Sequence, residues 1–350
     1  MSQIATLSVA TDHSPDSPAS PWSFPWPTGF ERIPDENWVR QEPDDFGRQY
    51  DSVGGHGWYK NLEPIVAQVL AGLDEDDILM DYSSGTGILA GRILSRIARR
   101  IGILNVDASA KFLRIALDNF SDDERVAFRL MRFLKEEKRL QGLDEVLEAT
   151  LLDRGIDMIT STNAIHLYYG LADTLEAWHR VLRPGGLALV CSGNLRNPNR
   201  RPDEWIIDET VASINEIAAE IVMKDPFFED YRSVLDDTAR MQAYHKLRDK
   251  IFVPVRPLEL YLDTFTDAGF TVQHHFDTTI HARIDEWYQM LAAYSDGVLG
   301  WIGGSEKIEG TPPSKMDEKY RLLLIRQSLE KLFPGKDSFP CSWTYITCRK

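Results

Sequence analysis

The sequence Ile78-Leu-Met-Asp-Tyr-Ser-Ser-Gly-Thr-Gly-Ile-Leu-Ala90 joins an apolar run, an acid and a turn of small residues. The apolar run ends at Asp81, the turn passes through Gly85 and Gly87, and an amphipathic segment starts at Ile88. This order predicts a strand, a tight turn and the N-terminus of a helix. Glycines let a ligand approach the backbone closely, and the free amides of a first helical turn attract negative charge. A nucleotide-like ligand with an anionic end fits such a turn.

The composition sets the size and excludes several classes of partner. The chain has 350 residues, 43% of them hydrophobic, which is enough for one large domain or a core domain with a substantial insert. It carries 39 basic and 54 acidic residues, a formal net charge of −15. Because no block of basic residues offsets this charge, a nucleic-acid groove or an anionic membrane surface is not expected as the main partner.

The cysteines and the termini indicate a cytoplasmic protein. The chain has an odd number of cysteines, namely Cys191, Cys341 and Cys348, and the spacing of the last two is not a common zinc-binding spacing. Both features are typical of a reduced protein with structural thiols. No segment approaches the length of a membrane helix, and the N-terminus lacks the charged start and apolar core of a secretory signal.

Short apolar strands alternate with amphipathic helices along the middle of the chain. This alternation predicts a parallel sheet with helices on both faces. The predicted strands are 78–82, 102–106, 126–131, one opening at Asp157, 187–191, 270–276 and 342–348, and the predicted helices are 87–99, 109–119, 134–153, 172–182, long helices within 203–250, and a helix from Pro257 to Gly269.

The turn alone does not identify its ligand. Gly85-x-Gly87-x-x-Ala90 matches the dinucleotide fingerprint, and Asp107 lies 20 residues past Gly87, where an acid that binds ribose is expected. NAD and S-adenosylmethionine (SAM) fit this pattern equally, because both present a ribose diol.

Three features favour SAM. Asp81 precedes the turn, where a carboxylate would be unfavourable beside a pyrophosphate but favourable beside the ammonium and sulfonium of SAM. Leu182-Arg-Pro-Gly-Gly186 breaks a helix just before the fifth strand. The last two predicted strands, 270–276 and 342–348, are suited to form a closing antiparallel pair.

On these residues the chain resembles the class I SAM-dependent methyltransferases, over roughly residues 55–195 and the terminal strands. Met80 to Gly87 is similar to the family's first motif, although Ser83 replaces its first glycine, so we expect the turn to be shifted slightly. Asp157 to His166 is similar to the fourth motif. The resemblance implies a Rossmann-like, seven-stranded, mostly parallel sheet with helical inserts forming a lid, SAM as cofactor and S-adenosylhomocysteine (SAH) as product.

The resemblance also implies which residues meet the cofactor. They lie at the carboxyl ends of strands or just before the core. The expected cofactor contacts are Tyr50, Asp81, Ser83, Gly85, Thr86, Gly87, Asp107 at the ribose, Ala108 and Phe133 near the adenine, and Asn163.

His166 is the candidate catalytic residue. Methyl transfer from a sulfonium requires mainly alignment and exclusion of water, and a base matters only for a protonated acceptor. His166 follows the fourth strand and fits a base with a pKa near the working range, or a structural histidine that bonds to the backbone. Tyr168, Tyr169, and the group Tyr50, His56, Trp58 and Tyr59 are candidates for the acceptor pocket or for packing. His274, His275 and His281 are not expected to bind a metal, because neighbouring strand residues face opposite ways.

The predicted organisation is an N-terminal arm at 1–54 that caps the site or remains partly disordered, a SAM-binding core at 55–195, a helical lid insert at 196–256, and the rest of the core at 257–350 with a second insert at about 284–333. Trp22, Phe24, Trp26 and Phe30 in the arm would dock on the body or belong to a loose tail. The layout of the inserts is similar to that of small-acid methyltransferases such as trans-aconitate methyltransferase.

We therefore expect a cytoplasmic methyltransferase, monomeric or homodimeric, that methylates O or N of a small, partly apolar metabolite. An NAD-dependent oxidoreductase and a non-catalytic SAM-fold scaffold remain the alternatives.

Overall fold

The structure is a computed structural model that describes residues 26–350. Trp22 and Phe24 lie outside the described residues. Eleven strands occur in this part of the chain: β1 Ile78–Tyr82, β2 Gly102–Asp107, β3 Val126–Leu130, β4 Phe133–Leu134, β5 Arg139–Leu140, β6 Ile156–Thr162, β7 Leu182–Ser192, β8 Leu195–Arg196, β9 Arg256–Pro257, β10 Thr271–Arg283 and β11 Ser338–Arg349.

The described helices precede, connect and follow these strands. They are α1 Asp45–Ser52, α2 Glu63–Gly72, α3 Ile88–Leu94, α4 Ala110–Phe120, α5 Leu143–Val146, α6 Ala149–Arg154, α7 Leu171–Val181, α8 Ile207–Lys224, α9 Arg232–Asp236, α10 Thr238–Ile251, α11 Leu258–Asp267, α12 Ile284–Ala293, α13 Ser295–Leu299, α14 Glu306–Glu309 and α15 Lys315–Leu332. Short 3₁₀ segments lie at Asn37–Arg40, Val53–Gly55, Gly57–Leu62, Ile165–Leu167 and Pro226–Tyr231.

Seven strands form one sheet in the order β10-β11-β7-β6-β1-β2-β3. The five strands from β7 to β3 are parallel, whereas β11 runs antiparallel to both β7 and β10. The predicted Rossmann-like sheet and its closing antiparallel pair are confirmed. Because parallel strands end at the same edge, Asp81, Asp107 and the segment after Thr162 lie at one edge of the sheet.

Side chains alternate between two cores on the faces of the sheet. Leu79 and Ile103 belong to one core, which includes α2, α3 and the helical inserts, whereas Met80 and Leu104 belong to the other, which includes α7 and α11. The central strands β1 and β2 are buried on both faces, as expected for a parallel sheet covered by helices.

The helical inserts after β7 and after β10 pack on each other. Helix α8 contacts α13 and α15, and α10 contacts α13. Arg321 of α15 is buried and donates to the carbonyls of Ile302 and Gly304, which holds the second insert together.

Two predicted helices differ from the structure. Residues 134–153 form the hairpin β4–β5 followed by the short helices α5 and α6, because Lys138 turns in the left-handed region and Phe133 pairs with Leu140. The helix predicted at 87–99 ends at Leu94, where Arg96 starts a tighter turn by donating to Ile93.

The N-terminal segment docks on the edge strand β3. Trp26 stacks on Phe30 with ring centroids 4.8 Å apart, and the Arg129 guanidinium lies 4.4 Å from the Phe30 ring. The Phe128 amide donates to the Arg32 carbonyl at 3.0 Å, which covers part of an otherwise open sheet edge. Trp26 and Phe30 thus pack at the β3 edge of the sheet.

Candidate cofactor and acceptor site

The turn after β1 contains three left-handed residues. Ser83, Gly85 and Gly87 have φ values of 62°, 58° and 81°. Gly87 caps helix α3, and a Cβ at this position would lie 2.8 Å from a ring carbon of Phe120. Only glycine satisfies both the backbone and the packing there.

Ser83 has the left-handed backbone conformation that glycine adopts most easily. A slight shift of the turn is expected because serine disfavours a positive φ, yet Ser83 lies in the left-handed region. Its hydroxyl is 2.9 Å from that of Tyr168, which also bonds to Ser161 at 2.7 Å. These bonds offset the cost of a left-handed non-glycine residue, about 1–2 kcal/mol.

Asp81 is buried beneath the turn. One carboxylate oxygen accepts from the Thr160 hydroxyl at 2.9 Å, while the other has no hydrogen-bond partner in the described part of the chain. Burial raises the pKa of Asp81 to about 7, and the Asp107 charge adds to this rise. A buried carboxylate oxygen without a partner marks a place for a cationic ligand group.

Asp107 ties the end of β2 to the turn. Its carboxylate accepts from the Gly85 amide at 2.8 Å and from the Ser109 amide at 2.7 Å. Burial raises its pKa even though these amides favour the charged form. A carboxylate has about four acceptor positions, so these amides leave acceptor capacity for a diol. Ala108, directly after it, is exposed.

The remaining predicted contacts lie around this edge of the sheet. Thr86 is buried, and within residues 26–350 its hydroxyl has no hydrogen-bond partner. Phe133 lies on the β4–β5 hairpin with 57% of its surface exposed. The hairpin follows β3, and the Met131 amide donates to the Asp107 carbonyl at 2.9 Å. The role of Phe133 at the adenine remains a prediction.

Tyr50 links the turn to a large cavity. Its ring stacks on Phe112 with centroids 4.6 Å apart, and one ring carbon lies 3.5 Å from the position that a Cβ on Gly85 would occupy. Tyr59 donates to the Tyr50 hydroxyl at 3.4 Å. Burial raises the pKa of both phenols, so both are neutral donors near pH 7.

The cavity has a volume of about 680 Å³. The structure brings the predicted group Tyr50, His56, Trp58 and Tyr59 together on its wall, where Tyr169 also lies. Asn163 and His166 line it from the sheet edge, and the helical inserts contribute Phe252, Met290, Tyr294 and the exposed Lys250 and Lys307.

Comparison with known proteins identifies the domain to which this geometry belongs. Residues 80–190 match the family model described as a methyltransferase domain. Residues 80–190 therefore form a methyltransferase domain. The resemblance predicted from Asp81, Asp107 and the fourth motif is confirmed.

Two curated fungal proteins share part of the chain. It is 26% identical to fusarielin synthase FSL1 of Gibberella zeae over 144 residues, which are 41% of this chain and 5% of that protein. It is 30% identical to the hybrid PKS-NRPS synthetase apdA of Emericella nidulans over 114 residues, which are 32% of this chain and 3% of that protein. The chain thus spans about a twentieth or less of the length of these relatives.

A solved structure with a similar fold is the cyclopropane synthase MmaA2 from Mycobacterium tuberculosis. It is 14% identical, with a TM-score of 0.45, and the match covers 89% of this chain and 95% of that one. At this identity the similarity does not indicate an activity or a substrate.

The residues at the turn of the methyltransferase domain fit SAM. The unpartnered Asp81 oxygen would meet the ammonium, and Asp107 would meet the ribose hydroxyls. The left-handed Gly85 lets a ligand approach the backbone, which a side chain would obstruct. Bound SAM supplies an activated methyl group on a sulfonium.

Asn163 in the domain's fourth motif has a left-handed backbone, with φ 58°. Its side-chain oxygen accepts from Asn61 at 2.9 Å and from the Trp343 indole at 2.7 Å. Both acceptor positions are therefore in use, and a contact of this side chain with the cofactor would use its amide nitrogen.

One of the two roles expected for His166, that of a base, does not fit the structure. It is only 8% exposed, and its Nδ1 lies 2.9 Å from the Ser192 hydroxyl. Burial lowers the pKa of His166 to about 3, and the positive charge of Arg256 contributes. A pKa near the working range is therefore wrong, because the ring is enclosed beside a cation.

Sequence reasoning missed several side chains that shape the site. Tyr168 was a candidate for the pocket wall, but its hydroxyl holds Ser83 and Ser161 instead. Trp343 and Asn61 position Asn163 although they lie 180 and 102 residues away from it. No local pattern indicates such contacts.

Within residues 26–350 no group of three or more His, Cys, Asp or Glu residues could hold a metal ion.

Proposed function

We propose that this methyltransferase domain transfers the methyl group of SAM to an oxygen or nitrogen atom of a small, partly apolar metabolite and releases SAH. The observation that carries this proposal is the cavity of about 680 Å³ beside Tyr50. Its volume lies within the range of about 300–1,000 Å³ that is usual for small-molecule sites. A macromolecular acceptor would need an open groove.

The side chains around the cavity support alignment and exclusion of water as the main contributions of the protein. Trp58, Phe252 and Tyr294 provide apolar walls, and α1 with the helical inserts encloses the space between them. In the reaction the carbon–sulfur bond breaks as the acceptor's lone pair forms the new bond, and sulfur keeps the electron pair. Orientation in a dry site accelerates such an in-line displacement.

Two lysines favour an acceptor that carries an acidic group. Lys250 and Lys307 both line the cavity in a chain of net charge −15. No ion pair occupies either of them among the described residues. A carboxylate group on the methyl acceptor would form an ion pair with these lysines.

The names of the two curated relatives indicate a first class of acceptor. A fusarielin synthase and a hybrid PKS-NRPS synthetase are biosynthetic enzymes by name, so intermediates of such biosynthesis are reasonable acceptors for this chain.

We also propose the division into an arm at 1–54, a SAM-binding core at 55–195, a lid insert at 196–256 and the remaining core at 257–350. The cavity wall supports this division, because residues of the arm and of both inserts meet there.

A monomer or homodimer in the cytoplasm, with neither nucleic acid nor membrane as partner, completes the proposal. Cys191, Cys341 and Cys348 are all free and buried, which supports a reducing compartment. Across residues 26–350, no helix is long and apolar enough to span a membrane.

Ligand-induced stabilisation separates the proposal from its rivals. SAM and SAH should raise the Tm of the protein, whereas NADH should not. Mass spectrometry of methylated products should then be run over carboxylic acids, phenols, amines and 1,3-dicarbonyl compounds. Stabilisation by NADH alone would favour an oxidoreductase, and no response to millimolar SAH would favour a scaffold role.

A further inference from the structure

One edge of the His166 ring forms a hydrogen bond to Ser192, and the residue also lines the cavity. It belongs to the 3₁₀ turn Ile165–Leu167, directly after β6. Its Nδ1 is 2.9 Å from the Ser192 hydroxyl, and its Nε2, on the opposite edge, has no hydrogen-bond partner in the described part of the chain. The free nitrogen is therefore the one that a molecule in the cavity can meet.

The direction of the bond between Ser192 and His166 follows from a third residue. The Asn194 amide donates to the Ser192 oxygen at 3.0 Å, and Ser192 is fully buried. A buried hydroxyl hydrogen needs an acceptor. Within residues 26–350, the group that can accept a hydrogen bond from the Ser192 hydroxyl is His166 Nδ1. The serine therefore donates, and Nδ1 is unprotonated.

The charge environment keeps the ring neutral. The Arg256 guanidinium donates to the His166 carbonyl at 3.0 Å and to the Tyr168 carbonyl at 3.2 Å, which fixes a positive charge beside the imidazole. Burial and this charge lower the pKa of His166 to about 3. A neutral imidazole with an unprotonated Nδ1 has its single hydrogen on Nε2.

We propose that His166 donates a hydrogen bond from Nε2 to an oxygen of the methyl acceptor, with its tautomer fixed by Ser192, and that it does not act as a base. This rests on the proposed function. A donor that faces the acceptor suits a delocalised oxyanion, because one atom of such a group can accept the bond while another attacks the methyl carbon.

The acceptor class is therefore a carboxylate or an enolate. Such an acceptor enters as an anion, so no proton has to be removed by the protein. Its lone pair forms the new bond to carbon, the carbon–sulfur bond breaks, and sulfur keeps the electron pair. A hydrogen bond from His166 and the nearby Arg256 charge both favour the anionic form of the acceptor. Neutral alcohols, which have to lose a proton to become strong nucleophiles, should be poor substrates.

Nuclear magnetic resonance of protein labelled with ¹⁵N-histidine tests the tautomer without an acceptor. We expect His166 to show an unprotonated Nδ1 and a protonated Nε2, unchanged between pH 5 and pH 8. In Ser192→Ala the preference for this tautomer should weaken. A ring that protonates in this range, or that carries its hydrogen on Nδ1, would overturn the assignment.

Kinetics test the role at the acceptor. His166→Phe should lower kcat/KM for the best carboxylate or 1,3-dicarbonyl acceptor by about 10- to 100-fold, as expected for loss of a hydrogen bond to a charged group. His166→Gln, which retains an N–H donor, should recover part of this loss. The affinity for SAH should stay within about threefold of wild type in both variants, and the exposed control His281→Gln should behave as wild type.

The outcomes distinguish this role from the proposed function itself. Unchanged kcat/KM in His166→Phe would overturn the role of His166 while leaving methyl transfer intact. A wild-type protein that does not bind SAH would instead overturn the proposed function. If His166→Phe does not fold, the tautomer measurement on the wild type still tests whether Nε2 carries the hydrogen that the proposal requires.

Discussion

The hydroxyl groups of Tyr168 and Ser83 lie 2.9 Å apart, and this contact bridges the segment after β6 and the turn after β1. Ser83 is left-handed at a position where the family usually has glycine. Tyr168 also bonds to Ser161 at the end of β6, so the three hydroxyls form a chain at the sheet edge. The turn thus keeps its geometry through side-chain bonding in place of glycine.

Substitutions at this pair should show that bonding replaces glycine. Tyr168→Phe should weaken SAH binding about three- to tenfold, since it removes the support of a left-handed serine. In a Ser83→Gly background the same change should cost less, because glycine needs no support. A double-mutant cycle measured by titration calorimetry gives the coupling, and strictly additive effects would show that Tyr168 does not hold the turn.

Asp81 should make SAM binding pH-dependent. Its pKa is raised to about 7 by burial, so below that pH the carboxyl is protonated and cannot pair with an ammonium. Affinity should therefore rise between pH 6 and pH 8, by up to about tenfold per unit below the pKa. Calorimetry across this range checks the trend, and Asp81→Asn should flatten it.

Asp81 should also affect the stability of the protein without ligand. An acid whose folded pKa is raised stabilises the fold fully below its unfolded pKa of about 4, and this contribution is lost as pH rises through about 7. The Tm of wild type relative to Asp81→Asn should fall from pH 5 to pH 8. A relative Tm that rises over this range would show that the carboxyl is ionised and paired in the free protein.

Asp107→Ala should weaken SAH binding by about 1–3 kcal/mol, since it deletes charged hydrogen bonds to a diol. It also removes the acceptor for the Gly85 and Ser109 amides, so part of the loss reflects a looser turn. Asp107→Asn retains one acceptor oxygen and should lose less. Wild-type affinity in both variants, measured by calorimetry, would refute the ribose assignment.

The two cavity lysines should select acidic acceptors. Lys250→Gln combined with Lys307→Gln should raise KM for a carboxylate acceptor about tenfold and leave a neutral analogue of the same shape unaffected. The exposed Lys336→Gln is the matched control. Equal effects on the charged and neutral acceptors would indicate a change of cavity shape.

Local patterns were sufficient to predict much of the fold and the cofactor side of the site. Strand β1, its turn and Asp107 follow from apolar runs and spacing, because adjacent residues determine them. The charged residues of the 134–153 segment predict a helix, and no local pattern indicates that Phe133 pairs with Leu140 in a hairpin.

The acceptor side depended on contacts between distant residues. The environment of His166 is created by Ser192 and Arg256, which lie 26 and 90 residues further along the chain. Burial beside a cation, which lowers its pKa, leaves no trace in the residues around His166. The same holds for Asn163, whose partners Asn61 and Trp343 lie 102 residues before it and 180 residues after it in the chain.

Titration calorimetry of wild-type protein with SAH at pH 8 tests the cofactor site most directly. We expect saturable binding of one SAH per chain, clearly weakened by Asp107→Ala and unaffected by His281→Gln. Absence of binding at millimolar SAH would contradict SAM-dependent methyl transfer by this chain.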